Sequence, residues 1–219
     1  DELSSGTHSF GTQDGIVKVG VRMRNAVLAF CSALHFHQEH TYNEVKKIHG
    51  EGSKPHRQIT TIFNRLFEKS PEYRILYHTR NTMVHCTMET VAISATTFLS
   101  EDGSTKAVTL PAIDLSAIID LNNEISEKYK DELREMEPRP LVMNLINESM
   151  PLVVDANERI LRRMHPNIDE SCSIIVEFDS LFEGREGQRL MTLERSTNPP
   201  PPLTWSHQAW ASNVIEYAK

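Results

Sequence analysis

The sequence predicts a mainly α fold, a bundle of four to five helices that carries a small β-hairpin appendage. Two observations support this prediction. Apolar residues recur every three or four positions in several long segments, which is the spacing of amphipathic helices. One segment between these helices is instead rich in β-branched residues and contains an acidic turn with glycine. We therefore expect one helical domain over residues 16–165, with extensions on both sides.

Three helices are expected in the first half of the chain. The first covers residues 16 to about 40 and follows a flexible, polar segment at residues 1–15. The second helix has one apolar face, formed by Ile59, Ile62, Phe63, Leu66 and Phe67. The third begins at Ser70-Pro71, because serine is a good N-cap and proline suits the first helical position. It carries residues 73 to about 90.

The middle of the chain returns to a helical pattern after the β-branched segment. Residues 91–111 predict a β-hairpin, and a longer third helix is the alternative. Apolar residues at helical spacing then predict one helix from residue 113 to residue 136. Pro138 and Pro140 end it. A further helix from residue 141 to about 164 returns antiparallel to it, as in a helical hairpin.

The pattern changes again after residue 165. Residues 166–196 predict a small β appendage, with strands at 173–178 and 189–193. Residues 197–219 predict a Pro-rich linker and the start of a C-terminal helix, for which Ser206 is a candidate cap.

Composition excludes several classes of protein. The chain has 219 residues and no apolar run near the roughly 18 residues of a membrane span, and no signal peptide is visible, so we expect a cytoplasmic protein without membrane contact. Its three cysteines are odd in number and far apart, which argues against a disulfide framework or a zinc site. The histidines at residues 35–40 lack the paired Glu-x-x-His pattern of helical metal sites. We expect no metal and no cofactor.

Charge is unevenly distributed along the chain. The net charge is -7. Residues 1–100 carry 11 Lys or Arg against 9 Asp or Glu, whereas residues 101–219 carry 12 against 21. A site for a polyanion is therefore expected in the first half.

The predicted third helix carries an unusual set of polar side chains. At about 100° per residue, Arg74, His78, Asn81 and His85 fall on one narrow stripe of the helix. Arg80 lies about 140° around the axis from His85, so one helix cannot aim both at the same small target unless the long Arg side chain bends round. A second copy of the chain can supply the missing group.

The segment Arg80–His85 resembles the motif of the HEPN superfamily, in which Arg is followed after four to six residues by His, often with Asn, Asp or His directly after the Arg. The resemblance covers residues 16–165 and implies a HEPN-like helical bundle. A second pair, Arg159 and His165, has a similar spacing, but Ile160 after the Arg is off the pattern.

The resemblance implies a metal-independent endoribonuclease whose cleft forms between two copies of the chain. RNA carries its own nucleophile, the 2′-hydroxyl, so the enzyme needs a proton-transfer group and a charge clamp. His85 can transfer protons near neutrality. Arg80 can stabilise the charge on the five-coordinate phosphate, and Asn81 can orient His85 or the phosphate. Arg74 and His78 are candidate phosphate contacts.

The expected partners are RNA, a second copy in a homodimer, and a protein that neutralises or activates the enzyme. Phage defence, a toxin system or RNA processing is the setting that the resemblance suggests. A non-catalytic helical dimerisation or adaptor domain is the alternative function, and a regulatory domain that binds nucleic acid or a nucleotide is another. For Arg80 and His85 themselves, the alternative is a polar helix face with no catalytic role.

Overall fold

The computed structural model describes residues 13–99, 105–181 and 212–219. It confirms the mainly α class, since these residues form eight α-helices, a short 3₁₀ turn and one two-stranded antiparallel sheet. The chain divides into two compact units, one ending at Ile160 and the other beginning at Leu161.

Helix α1, Gln13–His49, is 37 residues long and exceeds the predicted first helix at both ends. It continues nine residues past position 40 because Val45 is fully buried and extends the inner face of the helix. Gly50 and Gly52 follow it with φ of 87° and 68°, a conformation that favours glycine. Of the segment expected at residues 1–15, only the last three residues are described, and they belong to α1.

Helices α2, Lys54–Lys69, and α3, Pro71–His85, meet at Ser70. The Ser70 hydroxyl accepts a hydrogen bond from the Tyr73 N–H at 3.1 Å, as expected of an N-cap, and its own N–H donates to the Leu66 carbonyl at 3.0 Å. The predicted start of α3 is therefore confirmed. Its predicted end near residue 90 was too late, because a 3₁₀ turn at Met88–Thr90 follows α3.

The predicted hairpin is confirmed. Strand β1, Val91–Leu99, pairs antiparallel with β2, Thr105–Ile113, in a register that places Val91 opposite Ile113 and Leu99 opposite Thr105. The alternative of a longer third helix is wrong. The predicted acidic turn between the strands lies outside the described residues.

The single helix predicted over residues 113–136 is wrong, because two short helices occupy this range. Helix α4, Leu115–Leu121, ends at Asn122, and helix α5, Glu127–Arg134, starts after the N-cap Ser126. The Asn122 side-chain oxygen accepts the Glu124 N–H at 3.0 Å, which stabilises a turn in place of a continuous helix. Apolar spacing persists across the break because both helices face the same core.

The bounds of helix α6, Val142–Met164, agree with the predicted helix from residue 141 to about 164. The predicted strand at 173–178 is wrong, because α7, Ile168–Ser180, is a helix there. Its β-branched residues favour a strand locally, but Asp169 and Glu170 in the first turn suit a helix N-terminus. The C-terminal helix is present as α8, Ser212–Ala218. The predicted strand at 189–193, the Pro-rich linker and Ser206 lie outside the described residues.

The core of the first unit gathers side chains from α1, α3, both strand ends and α4 to α6. Its fully buried members include Ile75, Leu76, Ile113, Leu115, Ile118 and Leu133. Burial of each such side chain contributes roughly 1.5–3 kcal/mol. Helix α3 is thus fixed at the centre of this unit, and α3 carries the motif. Among the described residues, no helix is long and apolar enough to cross a membrane.

Candidate functional site

Helix α3 divides along its length into a buried part and an exposed end. Ile75, Leu76, Thr79 and Thr82 are fully buried, so the inner face of the helix is packed along most of its length. The C-terminal end differs, since Val84 is 47% exposed and His85 is exposed. The motif therefore starts on a firmly held helix and ends at the surface.

Arg80 and Asn81 are paired with each other. Arg80 Nη1 donates a hydrogen bond to the Asn81 side-chain oxygen at 3.0 Å. The Arg80 Nε is buried and has no hydrogen-bond partner in the part of the chain that the structure describes. Arg80 also forms no ion pair there. Its charge is thus held in place by a neutral amide, and no carboxylate of the described residues pairs with it.

His85 is the last residue of α3 and is exposed to solvent. Within the described ranges its imidazole makes no hydrogen bond, ion pair or ring contact. The next residue, Cys86, is held: its thiol donates to the Leu121 carbonyl at 3.4 Å, and its N–H donates to the Thr82 carbonyl at 2.9 Å. The backbone beside His85 is therefore fixed against α3 and α4, whereas its ring is available to a ligand.

His78 lies in the interior, one turn before Thr82. It is 9% exposed, and its ring centroid lies 5.6 Å from that of Phe67, 5.5 Å from that of Tyr77 and 5.1 Å from that of Tyr129. Burial, together with the nearby Arg74 cation, lowers the pKa of His78 to about 4. His78 is therefore neutral at pH 7 and surrounded by aromatic rings.

Arg74 is bound by α5. It donates a hydrogen bond to the Glu132 carboxylate at 2.5 Å, and its guanidinium carbon lies 4.0 Å from the centroid of the Tyr129 ring. Its side chain is 19% exposed. Burial raises the pKa of Tyr129 to about 12, so this ring stays neutral beside the cation. Arg74 thus links α3 to α5.

The predicted site residues of α3 therefore separate into two groups. Arg80 and Asn81 form one, with His85 at the exposed end of the same helix, and Arg74 with His78 forms the other against α5. The sequence reasoning missed Tyr129 and Glu132, the partners of the second group. Glu132 belongs to an acidic run that resembles a solvated helix face, so no sequence signal marked it. A role of Arg74 and His78 in phosphate binding stays a prediction.

The histidine-rich part of α1 has partners of its own. A His37 ring nitrogen lies 3.2 Å from the Asn157 side-chain oxygen, and Phe36 stacks on His40 with centroids 5.6 Å apart. In the described ranges, no group of three or more His, Cys, Asp or Glu is arranged to hold a metal ion. The second motif-like pair also differs from the first, since an ion pair to Asp155 at 3.5 Å engages Arg159.

Comparison of the chain with protein-family models, curated proteins and solved structures found no match. The resemblance of Arg80–His85 to the HEPN motif stays a prediction. The support for a function of this protein therefore comes from the arrangement of Arg80, Asn81 and His85 on α3.

Proposed function

We propose that this protein is a metal-independent endoribonuclease of the HEPN type, in which His85 transfers protons, Arg80 stabilises the reacting phosphate and Asn81 orients Arg80. One observation carries the proposal. An exposed histidine, whose ring makes no hydrogen bond, ion pair or ring contact in the described ranges, lies one turn after an Arg–Asn pair on the same helix. An arginine that has no carboxylate partner is suited to binding an anion.

The reaction uses the 2′-hydroxyl of the RNA as nucleophile. A general base removes the proton of this hydroxyl, and its oxygen bonds to the adjacent phosphorus. The bond from phosphorus to the 5′-oxygen of the next nucleotide breaks, and a general acid returns a proton to that oxygen. The products carry a 2′,3′-cyclic phosphate and a 5′-hydroxyl. Arg80 stabilises the extra negative charge of the five-coordinate phosphate between these steps.

Two copies of the chain complete the site in this proposal. Arg80 and His85 lie roughly 140° apart around α3, so the group that stabilises charge and the group that transfers protons point in different directions within one copy. Two histidines, one from each copy, also supply the acid and the base that the two proton transfers require. RNA and a second copy are thus the proposed partners, and a protein that blocks or opens the cleft is a further one.

The test is cleavage of a defined RNA by the purified protein in excess chelator. Cyclic-phosphate ends are expected from the unsubstituted protein and a loss of at least about a hundredfold in rate from His85→Ala, the usual contribution of a general acid or base. Arg80→Ala should lose a similar factor. Arg159→Ala is the matched control, because Arg159 has a similar spacing to a histidine and should leave cleavage unchanged. Unchanged cleavage by His85→Ala would contradict the proposal.

A specific observation favours the alternative function, a helical dimerisation or adaptor domain. Phe36 is 68% exposed in the middle of α1, although it is a large aromatic residue. A protein that forms a stable dimer but leaves RNA intact under all conditions of the first experiment would have this function.

A further inference from the structure

The positive charge of the first half of the chain is concentrated at the end of α1 and along α2. Residues 46–69 contain six Lys or Arg against two Asp or Glu, whereas the rest of residues 1–100 contains five against seven. The excess of positive charge in the first half therefore comes from this one stretch. All six cations are exposed, namely Lys46, Lys47, Lys54, Arg57, Arg65 and Lys69.

Few of these cations are neutralised by a carboxylate. Lys46 forms an ion pair with Glu51 at 3.1 Å, and the other five form none with the described residues. Cations in other helices commonly have an acidic partner, as do Lys18, Arg24, Arg74, Lys130, Arg134, Arg139, Arg159 and Arg162. The charge along α2 is therefore available to an anion from outside the protein.

Three of the cations lie along one side of α2. At about 100° per residue, Lys54, Arg57 and Arg65 fall within about 80° around the helix axis, and they span about 16 Å along it. We call these three residues the α2 row. In α2 no large apolar side chain is exposed. Membrane surfaces and protein interfaces are bound through apolar contacts as well as charge, so a row of cations without them suits a phosphate backbone best.

The start of α2 adds to the preference for an anion. The first turn contains Lys54 and Arg57 and no acidic residue. Cations at a helix N-terminus are opposed by the helix dipole, whereas anions are favoured there. Arg57 Nη1 donates a hydrogen bond to the Gly52 carbonyl, which holds the guanidinium at this end of the helix. The side chains and the helix end therefore contribute positive charge at one place, and a bound phosphate would relieve their repulsion.

Contacts along α1 relate the α2 row to the motif. The ring of Tyr42 in α1 contacts His56 of α2, and the ring of His35 in α1 contacts Tyr77 of α3. These two positions of α1 lie about 20° apart around its axis, so α2 and α3 follow one another along the same side of α1. Since α1 and α3 run antiparallel, Arg80 lies beyond Tyr77, about 15 Å along α1 from the level of His56. A strand of several nucleotides spans this distance.

We propose that the α2 row binds the phosphate backbone of an RNA strand whose reacting phosphate lies at Arg80. The choice of RNA among polyanions rests on the proposed function, whereas the row itself is argued from the charges of α2 alone. Phosphate contacts carry no sequence information. The row therefore sets the affinity and the path of the substrate, and it does not select the base at the cut.

The first test is the binding of a fluorescent oligouridylate of about 16 nucleotides, measured by anisotropy at several salt concentrations. The full chain with His85→Ala is used, so that cleavage does not interfere. Replacing all three residues of the α2 row by Gln should weaken binding by at least about tenfold. The slope of log affinity against log salt should fall by roughly 2, because each phosphate contact contributes about 0.7. Unchanged affinity and slope would overturn the proposal.

The matched control is the replacement of Lys128, Arg134 and Arg163 by Gln. These cations are exposed on α5 and α6, and the variant loses the same amount of positive charge. It should bind RNA as the parent protein does. Equal weakening by both triple variants would overturn the proposal, because net charge alone would then explain the effect.

A variant that gains affinity completes the test. Glu68 is the only acidic residue of α2 and falls within the angular range of the α2 row. Glu68→Gln should therefore tighten RNA binding, a result that unfolding cannot produce. Weaker or unchanged binding by this variant would contradict the position of the strand.

Two further ligands test the chemistry of the contact. A uridylate with an uncharged methylphosphonate backbone should bind much more weakly than the natural strand, and equal binding would overturn the proposal. Vesicles of phosphatidylglycerol should not depend on the α2 row. If they bound through it while the oligouridylate did not, the row would serve a lipid surface and the RNA proposal would be wrong.

This proposal and the proposed function fail separately. RNA binding that depends on the α2 row, in a protein that cuts no RNA, supports the row and removes the nuclease. In a protein that cuts RNA, the triple Gln variant of the row should raise KM and leave kcat unchanged, because the row binds substrate and transition state equally. An unchanged KM would keep the nuclease and overturn the role of the row.

Discussion

Lowering the pH from 7 to 5 should destabilise the first unit through His78. In the folded protein burial and the Arg74 cation lower the pKa of His78 to about 4, whereas an unfolded histidine has a pKa of about 6.5. Between these values the unfolded chain binds a proton at this position and the folded chain does not. The stabilisation is therefore complete above pH 6.5 and is lost as the pH falls toward 4.

The size of the effect follows from the difference in pKa. A difference of about 2.5 pKa units corresponds to about 3 kcal/mol over the whole range, at roughly 1.4 kcal/mol per unit. By pH 5 about 2 kcal/mol of this should be gone. Most carboxylates with ordinary pKa values remain charged at pH 5, so this window isolates the histidine contribution.

The assay is urea unfolding at pH 7 and pH 5 for the unsubstituted protein and for His78→Phe. The variant keeps an aromatic ring among Phe67, Tyr77 and Tyr129 but cannot bind the proton, so its stability should change less with pH by about 2 kcal/mol. His85→Ala is the control, because this exposed histidine has no partner in the described ranges. Identical pH dependence in His78→Phe and the unsubstituted protein would refute the reasoning.

Three further substitutions test how the motif helix is held. Ser70→Ala should lower the free energy of unfolding by about 1 kcal/mol, because α3 loses its N-cap hydrogen bond; no loss in urea unfolding would count against that bond. Ile118→Ala should lower it by about 2–5 kcal/mol, since Ile118 is fully buried in the core, and an unchanged melting temperature would contradict the packing. Glu132→Gln should cost less than about 1 kcal/mol, because the Glu132 side chain is 40% exposed where it meets Arg74, and a larger loss would mean that this ion pair dominates the attachment of α5.

The sequence predicted best those helices and strands whose ends are marked by a local signal, such as a capping residue. Ser70 and Pro71 place the start of α3 to the residue, because capping and the fixed φ of proline act on neighbouring positions alone. The β-branched run after residue 90 predicted β1 for the same kind of reason. The break between α4 and α5 was not predicted. The buried residues on both sides of Asn122 keep a helical spacing, so the sequence pattern does not show the turn there.

The strand predicted over 173–178 failed for a different reason. Ile174, Ile175 and Val176 are good strand formers, but residues preceding them decide the outcome. Arg162 pairs with Asp169 at 2.7 Å at the junction of α6 and α7, and acidic residues occupy the first turn of α7. β propensity depends strongly on context, whereas a helix start is set by its own first turn.

The sequence identified the candidate site residues, but it did not predict which of them lie together in the structure. Helical spacing placed His78 on the same stripe as His85. An angle around the helix axis does not show which positions are covered by other parts of the chain, so it could not separate the buried His78 from the exposed His85. Tyr129 and Glu132 reach α3 from more than 50 positions along the chain. Such contacts depend on the packing of α5, which the sequence of α3 does not contain.

The division of α3 gives a criterion for assigning function to its histidines. His78 is surrounded by aromatic rings, so its substitution should change stability, and a change in stability can alter activity through the fold. His85 is exposed at the helix end, where substitutions usually change stability by less than about 0.5 kcal/mol. A loss of RNA cleavage in His85→Ala at unchanged stability would therefore have to come from chemistry or substrate binding. The same loss in a His78 variant would carry no such meaning unless its fold were shown to be intact.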